Sequence, residues 1–382
     1  MPMTIAPGVL SWARERARLD PLALEKKFPA LPAWERGEGA PTFSQLQQFA
    51  AATHAPLGYL LLPEPPPEPL PIPDFRTFRN AGVHRASVDL LDQIYLVEQR
   101  QEWYRDHQRA TGEDPLAFVG SLTTKTPVVT AAQTIATTLG FTTADRARYR
   151  SWSEALRALI DLIEDTGVLV MISGVVGSNT RRPLNPREFR GFALADPLAP
   201  VIFINGKDTK AAQIFTLIHE VVHIYLGESA LSDASLSQRS ANKDERFCND
   251  VAAEVLVPLD ALREDWNATA ERRQELDRLA ARFRVSTLVV LGRVFDLGGL
   301  DFDEYRRWYD EELKYVLAKA ETRASEGGNW YNSAPFQMSR RFARTVIADT
   351  LEGRTLHRDA FQMLGFRSAT TFTELGQRLG VA

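Results

Sequence analysis

The segment His219-Glu220-Val221-Val222-His223 has the residue types and the spacing of a metal-binding helix. Two histidines four positions apart lie on the same side of a helix, so both imidazoles can bind one ion. Apolar residues between 214 and 225 predict that this helix is half-buried, and Gly227 predicts where it ends. The pattern therefore predicts a zinc site, because zinc in hydrolytic sites is held by such nitrogens and one further protein ligand.

The third ligand has to come from a different element. The metzincin continuation is excluded, because Leu226 and Ser229 stand where its glycine and third histidine are needed. A second helix, predicted from 244 to the proline at 258, carries Glu245 and Asn249 on one face. On this face, the carboxylate of Glu245 could bind the ion, and the side-chain amide of Asn249 could orient one of the histidines by a hydrogen bond. Glu254 lies on the same face and is the rival ligand, although we favour Glu245.

The order H-E-x-x-H, a loop, then E-x-x-x-N-x-x-A resembles the signature of the ImmA/IrrE family of zinc metallopeptidases over residues 151–262. The resemblance implies that His219, His223 and Glu245 bind Zn²⁺ and that Glu220 is the catalytic base. Substrates in this family are commonly repressor proteins that control a stress or mobile-element operon. We therefore expect a protein substrate, a repressor encoded nearby.

The chemistry expected of these residues is peptide hydrolysis. Zinc lowers the pKa of a water molecule to about 7 and polarises a peptide carbonyl, while a carboxylate that is not a ligand moves the proton to the leaving amine. Glu220 suits that task because one residue turns a helix by about 100°, away from the line of the histidines. The donor to the oxyanion stays open among Tyr225, Tyr331, Asn332 and His357.

Composition restricts the classes of protein. A chain of 382 residues with 44% apolar residues predicts two to four globular domains. A net charge of -4 and a pI of about 6.0 give no overall attraction to nucleic acid. The single cysteine, Cys248, fits a reducing compartment and is expected in the core. Without a membrane-length apolar run or a signal peptide, we expect a soluble, cytoplasmic protein with no membrane partner.

The fold class predicted is α+β, a mostly helical multidomain protein with a central zincin-like metallopeptidase domain made of a small sheet and the H-E-x-x-H helix. Strands are predicted at 168–172, 189–194 and 201–204, and the sheet edge is expected to bind an extended substrate. The regions expected are a repressor-like helix-turn-helix domain at 1–62, a proline-rich linker and helical region at 63–150, the metallopeptidase domain at 151–262, and a C-terminal helical region with a helix-turn-helix-like element at 263–382. Residues 74–77, Asp-Phe-Arg-Thr, resemble a segment of long-form family members and are expected to dock on a neighbouring domain.

The N-terminal region resembles the XRE-type helix-turn-helix domain of phage repressors, yet its charge argues against operator reading. Between residues 1 and 62, six Lys or Arg residues meet five Asp or Glu residues. The helix in recognition position contains Pro32, and Arg36 is its one arginine. Because phosphate contacts need clustered positive charge, we expect weak DNA binding and a structural or partner-binding role.

A second class of function stays open at this point. The chain could be a regulatory or antitoxin-like binding protein that engages DNA or a toxin, with a zinc site that is structural or inactive. The element at 276–295 is locally richer in arginine, although acidic residues offset that charge.

Overall fold

The structure, a computed structural model, describes residues 3–73, 86–232, 242–322 and 337–381. The Asp-Phe-Arg-Thr segment, Tyr331 and Asn332 lie outside these ranges. The described chain is mostly helical with a small mixed sheet, so the predicted α+β class is confirmed. It divides into two compact units, residues 3–71 with 86–95, and residues 72–73 with those from 96 onward. The four-region division made from the sequence stays a prediction.

The first unit is a small helical module. Its helices are α1 (Pro7–Ala17), α2 (Pro21–Lys27), α3 (Leu31–Glu35) and α4 (Phe43–Thr53), followed by a 3₁₀ turn at Tyr59–Leu61. Thr42 and Gln45 form a capping box that starts α4. In α3, the element in recognition position, Leu31 and Trp34 are buried in the module's core. This five-residue helix therefore contributes to packing.

The second unit contains the remaining helices. In chain order they are α5 (Val88–Thr111, of which residues from Leu96 belong here), α6 (Val128–Leu139), α7 (Thr143–Arg146), α8 (Trp152–Asp165), α9 (Lys210–Leu226), α10 (Lys243–Leu256), α11 (Leu259–Asp265), α12 (Arg272–Phe283), α13 (Thr287–Asp296), α14 (Phe302–Thr322), α15 (Arg340–Leu351), α16 (His357–Leu364) and α17 (Ala369–Leu379). The predicted helix over the two histidines is α9, and the predicted acidic helix is α10.

The sheet forms the floor under α9. Its strands are β1 (Leu169–Ser173), β4 (Gly191–Leu194), β5 (Val201–Asn205) and β6 (Ala230–Ser232), in the order β1-β5-β4-β6, and a separate hairpin pairs β2 (Val175–Val176) with β3 (Asn179–Pro183). β1 runs parallel to β5, whereas β4 is antiparallel to both of its neighbours. Every residue of β4 and β5 is buried, as expected for strands covered on both faces.

The outer edge of β6 is partly covered by the chain itself. The backbone N–H of Leu231 donates to the carbonyl of Pro73 over 2.9 Å, and the neighbouring Ile72 is buried. An extended substrate that paired with this edge would have to replace that bond. Substrate binding at the sheet edge stays a prediction.

The helix-turn-helix-like element of the C-terminal region lies inside the fold. Every residue of α13 except Asp296 is buried or half-buried, and the helix packs against α12 and α14. The arginines of α12 pair with nearby acids, namely Arg272 with Glu311, Arg273 with Glu312, Arg278 with Glu275 and Arg282 with Asp265. α13, the second helix of this element, therefore contributes to core packing. The positive charges of the α12 arginines are compensated by these acids.

Glu164, near the end of α8, holds the C-terminal helices. Its carboxylate accepts a hydrogen bond from the hydroxyl of Ser339, the residue that caps α15, and its carbonyl accepts from Arg341. One turn earlier, Asp161 pairs with Arg340 over 2.8 Å. Burial raises the pKa of Glu164 to about 7, and its hydrogen bonds offset this only in part.

Glu164 makes the stability of this unit depend on pH. Its pKa is raised from 4.5 to about 7 by folding, so the native state binds more protons than the unfolded state between these values. The free energy of unfolding should therefore fall as pH rises through this window, by about 1.4 kcal/mol at most for each unit of the pKa difference. Urea unfolding between pH 4.5 and 8 measures the slope. Glu164→Gln should flatten it, whereas Asp165→Asn, which removes an exposed carboxylate of the same helix, should leave it unchanged.

Candidate metal centre

α9 positions the two histidines because both of its ends are held. The hydroxyl of Thr209 accepts from the N–H of Ala212 at the start, and Gly227 ends the helix in the left-handed conformation at φ 71°. The carbonyls of Ile224 and Tyr225 accept from the loop before α6, from Gly120 and Leu122. The last turn of α9, which carries His223, therefore has its free carbonyls satisfied.

α10 supplies the acidic partner. Asn242 caps its start by accepting from Asp244, and Glu245 follows in the first turn. At its other end, Arg146 donates to the carbonyls of Val255 and Leu256. Arg293 donates to the next carbonyl, that of Val257, over 2.9 Å. Two buried arginines thus satisfy the end of α10 and fix its position against α9.

Three donor atoms converge between the two helices. The Nε2 atoms of His219 and His223 lie 3.2 Å apart. Oε1 of Glu245 lies 3.2 Å from Nε2 of His223, and Oε2 lies 3.4 Å from Nε2 of His219. All three side chains are buried, and they form the group of potential metal ligands within the described residues.

These distances fit a tetrahedral ion. Bonds of about 2.0–2.1 Å from zinc to nitrogen or oxygen place tetrahedral ligands about 3.3–3.4 Å from one another. The two nitrogens are 3.2 Å apart, which is close to that value, and each lies near a different oxygen of Glu245, 3.2 Å for His223 and 3.4 Å for His219. A donor set of two imidazoles and one carboxylate is also the set found in hydrolytic zinc sites. The residues present therefore fit a divalent metal ion, with zinc the best match.

The protonation states also suit metal binding, which needs neutral imidazole and ionised carboxylate. Burial opposes ionisation of Glu245, but the two histidines outweigh it and hold the pKa of Glu245 well below its ordinary value. Burial lowers the pKa of His223, although Glu245 counteracts part of this. Both shifts favour the forms that metal binding requires, an ionised Glu245 and a neutral His223.

Glu220 lies beside the cluster and is not part of it. It is fully buried, and neither carboxylate oxygen has a hydrogen-bond partner in the described part of the chain. Burial and the charge of Glu245 raise the pKa of Glu220 well above its ordinary value. The nearby Ser232 hydroxyl offsets only a small part of this rise, and its hydrogen bond goes to Glu245 over 3.3 Å. Buried carboxylates without partners are rare, and this one points to a functional role.

Two residues of the site were not found from the sequence. Ser232, the last residue of β6, has its hydroxyl 3.4 Å from Nε2 of His223. Gly191, its register partner on β4, lies under Glu220: a Cβ atom there would be 3.0 Å from Oε1 of Glu220. A three-residue strand gives no readable alternation, and a glycine in a strand indicates close approach without saying to what.

The other predicted residues lie elsewhere. Asn249 is buried, but its Oδ1 atom has no hydrogen-bond partner in the described ranges, so a bond to a histidine is not seen. Glu254 pairs with Arg293 and stays outside the cluster. Tyr225 packs on Phe118 with ring centroids 5.1 Å apart, and His357 packs among aromatic rings of the C-terminal helices. Neither is among the residues found in contact with the three donors.

Comparisons with known proteins agree with this geometry. Residues 163–295 match the IrrE N-terminal-like domain, a peptidase family model that includes both α9 and α10. The chain is also 33% identical over 168 residues to the radiation response metalloprotease IrrE of Deinococcus radiodurans. These matches support the ImmA/IrrE family. The matched segment includes His219, His223 and Glu245, the three donor residues.

The extent of the likeness is limited. The matched region is 42% of this chain and 47% of IrrE, so the chain spans about half the length of that relative. Residues 338–378, which include α15, α16 and all but the last residue of α17, match a domain of unknown function (DUF8813). No solved structure matches the chain. In the described ranges, no helix is long and apolar enough to cross a membrane.

Gly191 should be sensitive to a single added methyl group. A Cβ atom at this position would lie 2.8 Å from Cγ2 of Thr216 and 2.9 Å from the carbonyl oxygen of Phe203, as well as close to Glu220. Because the carbonyl belongs to the sheet, we expect Gly191→Ala to lower the free energy of unfolding by about 1–3 kcal/mol, measured by urea titration.

The matched control for this substitution is Gly58→Ala. Gly58 has a helical φ of -60°, and an added methyl group there would have no atom within 4 Å, so the change should stay within about 0.5 kcal/mol. Equal stabilities for the two variants would contradict the tight packing of β4 under Glu220.

Proposed function

We propose that the IrrE-like domain is a zinc-dependent endopeptidase of the ImmA/IrrE type, with a gluzincin-like ligand set. His219, His223 and Glu245 would hold the ion, and Glu220 would be the general base. The observation that carries this proposal is the convergence of three buried donor side chains, close enough to share one ion, beside a buried carboxylate that has no hydrogen-bond partner in the described ranges.

Each residue would have a defined task in hydrolysis. Zinc, when bound, supplies Lewis acidity that polarises a peptide carbonyl and makes water a nucleophile near neutral pH. The carboxylate of Glu220 accepts a proton from the attacking water as the carbon–oxygen bond forms. It then gives that proton to the leaving nitrogen as the carbon–nitrogen bond breaks. Glu220 suits proton transfer because it is held beside the site without being a ligand.

The surroundings favour this proton transfer. The buried position of Glu220 keeps bulk water from competing as a proton acceptor. Gly191 lies close to both Thr216 and the carboxylate of Glu220, so little space is left for that carboxylate to move toward the sheet. A base whose position is fixed loses little entropy when the reaction begins.

We propose that the substrate is a transcriptional repressor encoded nearby, in a stress-response operon. The support is the family likeness and the similarity to a radiation response metalloprotease. Cleavage of such a repressor would allow transcription of the operon, so a peptidase with one specific target would control its expression.

The metal assignment predicts how the zinc content responds to substitution. The purified protein should hold about one zinc ion per chain, and His223→Ala should lose it because two ligands do not close a stable site. Glu245→Gln should also lose zinc, whereas Glu254→Gln should keep it, since Glu254 pairs with Arg293. Metal analysis by mass spectrometry checks these variants. Full occupancy in His223→Ala would refute the assignment.

Catalysis should be separable from metal binding through Glu220. Glu220→Gln should keep zinc and the fold but cut turnover at least roughly a hundredfold, because the amide cannot accept the proton. The measurement is cleavage of the neighbouring repressor, followed by mass spectrometry with and without a chelator. Glu264→Gln, on an exposed part of α11, is the control and should cleave normally. Undiminished cleavage by Glu220→Gln would show that the base is another group.

A further inference from the structure

Cys248 lies directly behind one of the proposed zinc ligands. It is the protein's single cysteine, it is fully buried, and it lies on α10 one turn after Glu245. Its Sγ atom is 3.7 Å from Nδ1 of His223. The other ring nitrogen, Nε2, is the atom that faces His219 and Glu245. The thiol and the proposed ion therefore contact opposite nitrogens of the same imidazole.

The chemistry of imidazole gives this contact a role. A neutral ring carries one proton, and a nitrogen that binds an ion must present its lone pair, so the proton of His223 has to be on Nδ1. A buried N–H without an acceptor costs free energy. The sulfur of Cys248 is a weak acceptor at an ordinary N–H···S distance, and it can take that hydrogen bond.

We propose that Cys248 is a positioning residue for the metal site, whose sulfur accepts the Nδ1–H of His223 and so fixes the tautomer and the orientation of that ligand. Such partners behind a metal-bound histidine are usually carboxylates, carbonyls or water. This inference rests on the proposed function, since it requires that His219, His223 and Glu245 hold an ion.

A thiol suits this position because it adds no charge. The buried carboxylates of Glu245 and Glu220 lie nearby. A carboxylate in the same place would add one more buried negative charge near these two acids. A thiol accepts the hydrogen bond without that electrostatic penalty.

The two histidines differ in this support. Nδ1 of His219 is buried and has no hydrogen-bond partner in the described part of the chain. His223 is the ligand with a defined partner behind its ring. Cys248 cannot itself bind the same ion while it contacts Nδ1, because the ring of His223 lies between them. Its contribution is orientation.

The test compares the zinc affinity of three variants, measured by competition with a chromophoric chelator. Cys248→Ala removes the acceptor and should weaken zinc binding by about 10–100-fold, the usual effect of losing such a partner. Cys248→Ser keeps an acceptor and should stay within about threefold of the wild type. Val255→Ala, a buried truncation on the same helix away from the donors, should not change the affinity.

Cobalt substitution supplies a second readout that a packing effect would not move. With Co²⁺ in place of zinc, Cys248→Ala should alter the visible d–d bands, because the ring of His223 is free to turn, whereas Val255→Ala should leave them unchanged. A sulfur-to-cobalt charge-transfer band in the wild type would overturn the inference, since it would make Cys248 a ligand.

The outcomes separate this inference from the proposed function. Wild-type affinity in Cys248→Ala would refute the positioning role and leave the zinc site intact. Equal losses in Cys248→Ala, Cys248→Ser and Val255→Ala would also refute it, because they would indicate general loosening of α10. Absence of metal binding by the wild-type protein would refute both proposals.

Discussion

Desolvation of the donors between α9 and α10 is the constraint on which the rest of the structure depends. An ionised carboxylate buried without compensation costs several kcal/mol, and Glu245 is buried next to the equally buried Glu220. The imidazoles of His219 and His223 and the hydroxyl of Ser232 compensate Glu245 in part. The two helices must therefore be held together by contacts that do not involve the site itself.

Those contacts are the apolar core and a set of buried arginines. Arg146 reaches from α7 to the carbonyls that end α10, and it also donates to the carbonyl of Phe283 at the end of α12. Arg293 reaches back from α13 in the same way. These residues lie outside the resemblance over residues 151–262, yet they fix the axial position of α10 and hence the depth at which Glu245 enters the cluster. The helix-turn-helix-like element thus supports the site through α10.

Much of the site could be predicted from local sequence because its geometry is local. The spacing of His219 and His223 follows from the helical period, and Gly227 marks the end of α9. The expectation that Glu254 shares a face with Glu245 was wrong, because nine residues at about 100° each turn it to the opposite side of α10, where it pairs with Arg293. Ser232, Gly191 and the contact of Cys248 with His223 depend on strand register and on the packing of two helices. Such long-range relations leave no periodic pattern in the sequence.

The charge pattern of the C-terminal region was less informative than its burial. The arginines of α12 suggested a locally basic element, but each of the four is paired with an acid that lies outside the predicted helix or one turn away on it. α14 packs against α13 and covers it. The sequence pattern did not predict α14. Counting charges within one segment therefore describes its composition and not the surface it presents.

The bond between Leu231 and Pro73 has a consequence for the behaviour of the protein in concentrated solution. β6 is the last strand of its sheet, and an open strand edge can pair with another molecule and start aggregation. Pro73 takes the N–H of Leu231 and has no N–H of its own to offer outward. An added strand could not accept a backbone hydrogen bond from Pro73. This segment therefore protects the sheet from edge-to-edge association.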